Sequence, residues 1–165
     1  MKLIEQIKKE KNIFFSGFTL VGACIGLAMA LITVIACGNF YVYTFLLKPR
    51  HSPPAFLFYL FFAFLSALVG GLSGMVAVPR CRKSRLNGIL FTALSFLFIL
   101  LWYIAFFKTL SFVFGLFLII SAVLLMLFAI KESFEKGILP FLFAVLAALG
   151  QVWLLWLNVT VILLN

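Results

Sequence analysis

The chain has 165 residues, of which 66% are hydrophobic and only 10% are charged. Ordinary soluble domains have roughly 45–50% apolar and about 25% charged residues, so this composition excludes a soluble globular domain. The net charge of +9 would suggest a nucleic-acid partner on a soluble surface. Here the charges fall between long uncharged stretches, which indicates a small polytopic membrane protein.

The first two uncharged stretches predict two membrane-spanning helices. Residues 13–37 are long enough to cross a hydrocarbon core of about 30 Å at about 1.5 Å per residue. This stretch exceeds the roughly 7–15 apolar residues of a signal peptide, so we expect it to be retained. The second stretch covers residues 53–79. Pro53 and Pro54 mark its start, because proline costs little in the first helical turn.

Three further stretches follow. Residues 86–107 and 109–130 are separated by Lys108, so we expect a connection of one or two residues and two antiparallel neighbouring helices. Residues 138–163 follow a short charged turn. The sequence therefore predicts an all-α integral membrane protein, a single domain over residues 1–165 built as a bundle of five transmembrane helices.

The positive charges are distributed unequally between the two faces that five spans would create. One face carries Lys2, Lys8, Lys9, Lys11, Arg80, Arg82, Lys83, Arg85, Lys131 and Lys136, and the other carries Lys48, Arg50 and Lys108. The positive-inside rule then predicts a cytoplasmic N-terminus and an outside C-terminus in a bacterial cell membrane. The charge needs no nucleic-acid partner, and membrane lipid is the expected one.

The predicted spans contain no residue suited to proton or ion coupling. All four acidic residues and all Lys and Arg lie outside them, which disfavours a pump or an ion-coupled transporter. The neutral polar residues inside are Ser66, Ser73, Ser95, Ser121, Gln151, Asn158 and Thr160. Such residues either join helices by hydrogen bonds or orient a ligand in an apolar cavity, and the sequence leaves both interpretations open.

Glycine pairs and cysteines complete the sequence pattern. Gly22 and Gly26, like Gly70 and Gly74, are four residues apart and share a helix face, which permits close helix packing. The same two faces are the candidate contacts of a homodimer. Three cysteines and one histidine stand in no metal-binding spacing, and no catalytic motif occurs, so we predict no metal site and no catalytic residue.

The segment YTFLLKPRHSPP, residues 43–54, resembles the signature of the TspO/MBR family, the tryptophan-rich sensory or translocator proteins. That signature reads W-Y-x-x-L-x-K-P-x-W-x-P-P and leads into the second helix. Further positions that fit are Phe58, Leu65, Gly70, Trp102, Phe106, Phe107, Leu157, Asn158 and Asn165. The chain departs from the family pattern at Val42, His51 and Phe62, where the family has tryptophan, and at Ser66, where it has tyrosine.

The resemblance implies a membrane binding protein for apolar or amphipathic ligands, such as tetrapyrroles (porphyrins) or sterol-like molecules, in transport, sensing or disposal. The family cavity lies among the helices beneath the first loop. The ligand-contact candidates that follow are Tyr43, Leu46, Lys48, Pro49, His51, Pro53, Pro54, Phe58, Phe62, Ser66, Trp102, Phe106, Trp153 and Asn158. Lys48, Arg50 and His51 suit the carboxylates of an amphipathic guest. The alternative, which stays open, is that Lys48 and Arg50 only extend to the lipid headgroups. No cofactor is expected to be required, and porphyrin or haem enters only as a ligand.

Two alternative functions stay open at this point. One is an enzyme for light-dependent porphyrin breakdown, which is attributed to bacterial family members and assigned to cavity tryptophans. This chain has only Trp102, Trp153 and Trp156, so binding without catalysis is the preferred interpretation. The other alternative is a structural or partner-binding subunit of a larger membrane complex.

Overall fold

The computed structural model describes residues 17–38, 41–49, 52–77 and 82–165, the last range with side chains from residue 86 onward. Its helices are α1 (Gly17–Cys37), α2 (Val42–Phe45), α3 (Ala55–Ala77), α4 (Arg82–Phe107), α5 (Phe112–Phe134) and α6 (Ile138–Leu164). Within these ranges, all except the single-turn α2 are long and apolar enough to cross a membrane. The prediction of an all-α bundle with five spanning helices is confirmed.

The helix ends differ from the predicted ones where a charged residue marks the predicted boundary. Residues 13–16 and 78–79 of the predicted spans lie outside the described residues. Helix α5 continues to Phe134, four residues beyond the predicted end, and so includes Lys131 and Glu132. A charge ends a membrane span but not a helix, because the backbone keeps its hydrogen bonds after it leaves the hydrocarbon.

The predicted connection of one or two residues between the third and fourth spans is wrong. Helix α4 ends at Phe107 and α5 starts at Phe112, so four residues form the turn. Leu110 has a φ of 53°, in the left-handed region, and the amide of Ser111 donates to the carbonyl of Ala105 at 2.9 Å. These features turn the chain sharply and keep the two helices antiparallel neighbours, as predicted.

The helices form a ring in the order α1, α3, α6, α5, α4, with a further contact between α3 and α4. Helix α3 is the most buried and α1 the least. Large apolar side chains such as Phe18, Ile35, Phe117 and Leu163 point outward and are exposed. An apolar exterior of this kind is stable in lipid and not in water, so the chain is an integral membrane protein.

Close packing of α1 on α3 uses both glycine pairs. A Cβ atom placed on Gly26 would lie 3.2 Å from the Cα of Gly70, and one placed on Gly22 would overlap the carbonyl of Gly70. A Cβ atom on Gly74 would likewise overlap the backbone of Phe18. The packing interpretation is therefore confirmed. The two faces contact each other within one chain, so a homodimer through them would require α1 to separate from α3; the homodimer itself stays a prediction.

The first loop and the C-terminus meet at one end of the bundle, which we call the loop end. The amide of Leu47 donates to Asn165 Oδ1 at 3.4 Å, and Asn165 Nδ2 donates to the Leu47 carbonyl at 3.2 Å. At the opposite end, Lys136 Nζ donates to the carbonyl of Val76 at 3.0 Å. The C-terminal helix thus fixes the loop that covers the bundle interior.

Candidate functional site

Five aromatic rings lie in contact beneath the first loop, and we call them the aromatic cluster: Tyr43, Phe58, Phe62, Tyr103 and Phe107. Tyr43 stacks on Phe58 at a centroid distance of 4.5 Å, and Phe58 lies 5.4 Å from Phe107. Tyr103 lies 4.6 Å from Phe107 and 4.5 Å from Phe62. All five side chains are buried. These separations are typical of favourable ring contacts, so the cluster is a continuous, closely packed aromatic core.

Helix geometry explains why these rings converge. Phe58 and Phe62 are four residues apart on α3, as are Tyr103 and Phe107 on α4, so each pair shares one helix face. The short helix α2 then places Tyr43 above them. Trp102 and Phe106 extend the cluster toward α5 and α6, since Phe106 lies 4.9 Å from Phe107 and 5.2 Å from Trp102.

Tyr43 also organises the loop. Its hydroxyl donates to the carbonyl of Pro53 at 2.9 Å. Lys48 Nζ donates to the Tyr43 carbonyl and lies 4.1 Å from the centre of the Tyr43 ring, which is a cation–π distance. Burial is the main cause that raises the pKa of Tyr43 to about 12, with a smaller contribution from Tyr59. Burial also lowers the pKa of Lys48. The Lys48 ammonium thus contacts the loop itself.

The raised pKa of Tyr43 predicts a pH-dependent loss of loop stability. A phenolate cannot donate to Pro53, so the stabilising bond is fully present below the ordinary tyrosine pKa of 10 and is lost as the pH rises toward about 12. We expect the stability advantage of wild type over Tyr43→Phe to shrink across this window. Thermal unfolding in detergent between pH 8 and pH 12 measures it. The same pair in a Lys48→Met background separates the titration of Lys48; a constant advantage at every pH would contradict the prediction.

Asn158 forms a buried hydrogen-bonded junction between three helices. Trp102 Nε1 donates to Asn158 Oδ1 at 2.8 Å, and Asn158 Nδ2 donates to the carbonyl of Phe112 at 3.0 Å. Trp102 and Asn158 are both fully buried. For Asn158 the structure therefore supports the interpretation that polar residues join helices.

A second polar group lies near the middle of the spans. Gln151 Nε2 donates to Ser95 Oγ at 2.9 Å, and Ser95 Oγ donates to the carbonyl of Ala122 at 3.0 Å. The hydroxyls of Ser73, Ser121 and Thr160 donate to the carbonyls four residues earlier in their own helices. Ser66 Oγ is buried and has no hydrogen-bond partner among the described residues.

An apolar cavity of about 300 Å³ lies between α3 and α6, and we call it the α3–α6 groove. It is lined by Phe61, Phe64, Leu65, Leu68, Leu146, Leu149, Gly150 and Trp153. Trp153 packs edge-on against Phe61 at 4.8 Å and lies 6.3 Å from Phe58. Trp153 therefore connects the groove to the aromatic cluster.

The structure brings most of the predicted ligand-contact residues to the loop end. Tyr43, Phe58, Phe62, Trp102 and Phe106 lie in or against the aromatic cluster. Leu46 packs on the same core, while Lys48, Pro49, Pro53 and Pro54 belong to the loop above it. Trp153 reaches both groove and cluster, Ser66 follows Phe62 by one turn, and Asn158 lies in the junction with Trp102.

His51, together with Arg50, lies outside the described residues. The candidates omitted Tyr103 and Phe61, which are in ring contact with Phe62 and Trp153 respectively. The sequence feature that indicates Tyr103 is its four-residue spacing from Phe107, which places both rings on one helix face. The described residues contain no group of three His, Cys, Asp or Glu side chains that is arranged to hold a metal ion.

Comparison with known proteins adds no relative. No model of a known protein family matches the chain, and no curated protein matches it. The fold defines the class as a five-helix integral membrane bundle. The likeness to the TspO/MBR signature rests on the sequence alone, chiefly on residues 43–54.

Proposed function

We propose that the chain is a membrane-embedded binding protein for a flat apolar or amphipathic molecule, of the tetrapyrrole or sterol-like class, in its transport, sensing or disposal. One observation carries the proposal. The α3–α6 groove joins the aromatic cluster through Trp153, which contacts Phe61 in the groove and Phe58 in the cluster. Aromatic faces bind flat apolar guests without requiring hydrogen bonds.

The groove is the better first site for the ligand. The rings of the aromatic cluster already contact one another and are buried, so a guest between them would have to displace Tyr43 or Phe58. The groove has a volume of about 300 Å³, at the lower end of ligand sites, and its wall includes the exposed side chains of Leu146 and Leu149. A hydrophobic ligand dissolved in the bilayer reaches it laterally.

Filling the groove tests the proposal. Leu149→Phe enlarges a side chain that lines the groove, whereas Val152→Phe adds a ring on the same helix at an exposed position outside the groove lining. We expect saturable binding of protoporphyrin IX or cholesterol to the purified protein, measured by porphyrin absorbance or by sterol competition. Leu149→Phe should weaken it about tenfold, or about 1.4 kcal/mol, and Val152→Phe less than twofold.

Two results would contradict this proposal. The first is that purified protein that still unfolds cooperatively shows no saturable binding of either ligand. The second is equal weakening by Leu149→Phe and Val152→Phe, which would place any binding on the general lipid-facing surface.

A further inference from the structure

The side chains that line the α3–α6 groove are almost entirely apolar. Seven of the eight lining residues are phenylalanine, leucine or glycine. The eighth, Trp153, has one polar side-chain atom, the indole nitrogen, which donates a hydrogen bond and accepts none. The described residues that line the groove therefore offer no positive charge to a carboxylate.

The groove lies in the middle of the two helices that form it. On α3, Phe61 lies roughly 9 Å from the first residue of the helix and Leu68 roughly 13 Å from the last, at about 1.5 Å per residue. On α6, Leu146 lies roughly 12 Å from the first residue and Trp153 roughly 16 Å from the last, on the same scale. The lining residues are thus at the depth of the hydrocarbon and not of the headgroups.

The floor of the groove is buried and its rim faces the lipid. Leu65 and Leu68 are buried, and a Cβ atom on Gly150 would lie 2.7 Å from Leu65 Cδ1. Phe64 and Leu149 are exposed. A ligand therefore enters the groove from the hydrocarbon, and an ionised group on that ligand would have to leave the headgroup region for a medium in which charge is costly.

The described lysines lie at the two ends of the bundle, and none of them lines the groove. Lys48 and Lys108 lie at the loop end, and Lys131 and Lys136 at the opposite end. The ammonium group of Lys48 donates to the carbonyl of Tyr43 and lies over the Tyr43 ring. No described lysine is thus placed to compensate the charge of a carboxylate in the groove.

We infer that the groove selects an uncharged ligand over a carboxylate. The inference rests on the proposed function and narrows its ligand class to the neutral members, such as sterols and esterified tetrapyrroles. A tetrapyrrole with free carboxylates is disfavoured. The same molecule with esterified carboxylates keeps its flat apolar shape and loses its charge, so it fits the groove. For this site, the structure reverses the expectation that a basic loop holds the carboxylates of the ligand.

Protoporphyrin IX and its dimethyl ester are a matched pair of probes, because they share the macrocycle and differ in the two carboxylates. Porphyrin absorbance measures the binding of each to the full chain in nanodiscs at neutral pH, and empty nanodiscs measure its partition into the lipid. With affinities expressed per mole fraction of probe in the bilayer, we expect the ester to bind at least tenfold more tightly than the free acid. Leu149→Phe should weaken binding of the ester, and Val152→Phe should leave it unchanged.

A variant that adds a cation to the groove tests the cause of the preference. Leu149→Lys places an ammonium group on the rim, whereas Val152→Lys places the same group at another exposed position of α6 outside the groove lining. We expect Leu149→Lys to reduce the preference for the ester at least threefold and Val152→Lys to leave it unchanged. Because the wild-type protein gives its own result, the test does not depend on the folding of either variant.

The outcomes separate this inference from the proposed function. If protoporphyrin IX binds at least as tightly as its ester, and Leu149→Phe weakens that binding, the proposed function stands and the selection against charge is overturned. If neither porphyrin nor cholesterol binds saturably, the proposed function fails and the inference fails with it. A preference for the ester that Leu149→Phe and Val152→Phe change equally would place it on the general lipid-facing surface and would also overturn the inference.

Discussion

Gly70→Ala will lower the free energy of unfolding by about 3 kcal/mol, whereas the same change at the neighbouring Gly71 will alter it by no more than about 1 kcal/mol. A Cβ atom on Gly70 would lie 3.0 Å from the Cα of Gly26 and would overlap the carbonyl of Gly22. Backbone atoms cannot rotate away, so α1 would have to separate from α3. On Gly71 the nearest atom would be the Ala23 Cβ, at an ordinary distance of 3.6 Å.

Gly70→Ala and Gly71→Ala are a matched pair, because both add one methyl group at neighbouring positions of the same helix. Unfolding titrations in mixed micelles measure both stabilities, and sedimentation in the same detergent measures the oligomeric state. We expect the loss for Gly70→Ala without any change in oligomeric state. A changed monomer–dimer ratio at unchanged stability would return the glycine faces to an intermolecular contact.

The glycine pattern predicts that a close helix contact exists but not which helix is the partner. The four-residue spacing of Gly22 and Gly26 correctly predicts a close helix contact, because only small residues let backbones touch. It does not identify the partner helix, since a contact within one chain and a contact between two chains require the same stripe of small residues. Only the folded chain shows that Gly70 is the partner.

The spans were predictable because hydrocarbon thickness fixes how many apolar residues each must contain. The ends of the helices were less predictable, because the positions of Lys108 and Lys131 locate the membrane surface and not the end of a helix. The turn after α4 depends on the left-handed backbone conformation of Leu110. Leucine rarely adopts this conformation, so the sequence does not indicate it.

Recognition of the site was limited by composition. Motif positions identified Tyr43, Phe58 and Phe62, and the structure brings these three together. Tyr103 is not among the predicted contacts, because a chain with 22 phenylalanines and four tyrosines has many candidate rings. Which of these rings point into the bundle depends on how each helix is rotated about its axis. The orientation of Lys48 against Tyr43 likewise depends on the loop conformation and not on residue type.

Asn158→Leu will cost about 3 kcal/mol of unfolding free energy, although leucine is the more hydrophobic residue. The substitution removes the bonds to Trp102 Nε1 and to the carbonyl of Phe112. It also leaves the buried indole N–H without an acceptor, and no other acceptor is available in hydrocarbon. Thr160→Val is the control on the same helix, because the Thr160 hydroxyl donates to the carbonyl of Trp156 one turn earlier in that helix. It should cost less than about 0.5 kcal/mol.

A double-mutant cycle separates the hydrogen bond from the packing of the ring. Trp102→Phe removes the donor and leaves Asn158 Oδ1 without a partner, just as Asn158→Leu leaves the indole N–H without one. Each single variant is therefore destabilised by one buried polar group that has lost its partner. In the double variant Trp102→Phe/Asn158→Leu neither group remains, and we expect its destabilisation to fall short of the sum of the single effects by at least about 1 kcal/mol. Additive losses would show that the Trp102–Asn158 bond contributes nothing to the junction. A shortfall of the expected size would show that the Trp102–Asn158 bond holds α4 to α6. It would thereby also hold in place the α4 residues of the aromatic cluster.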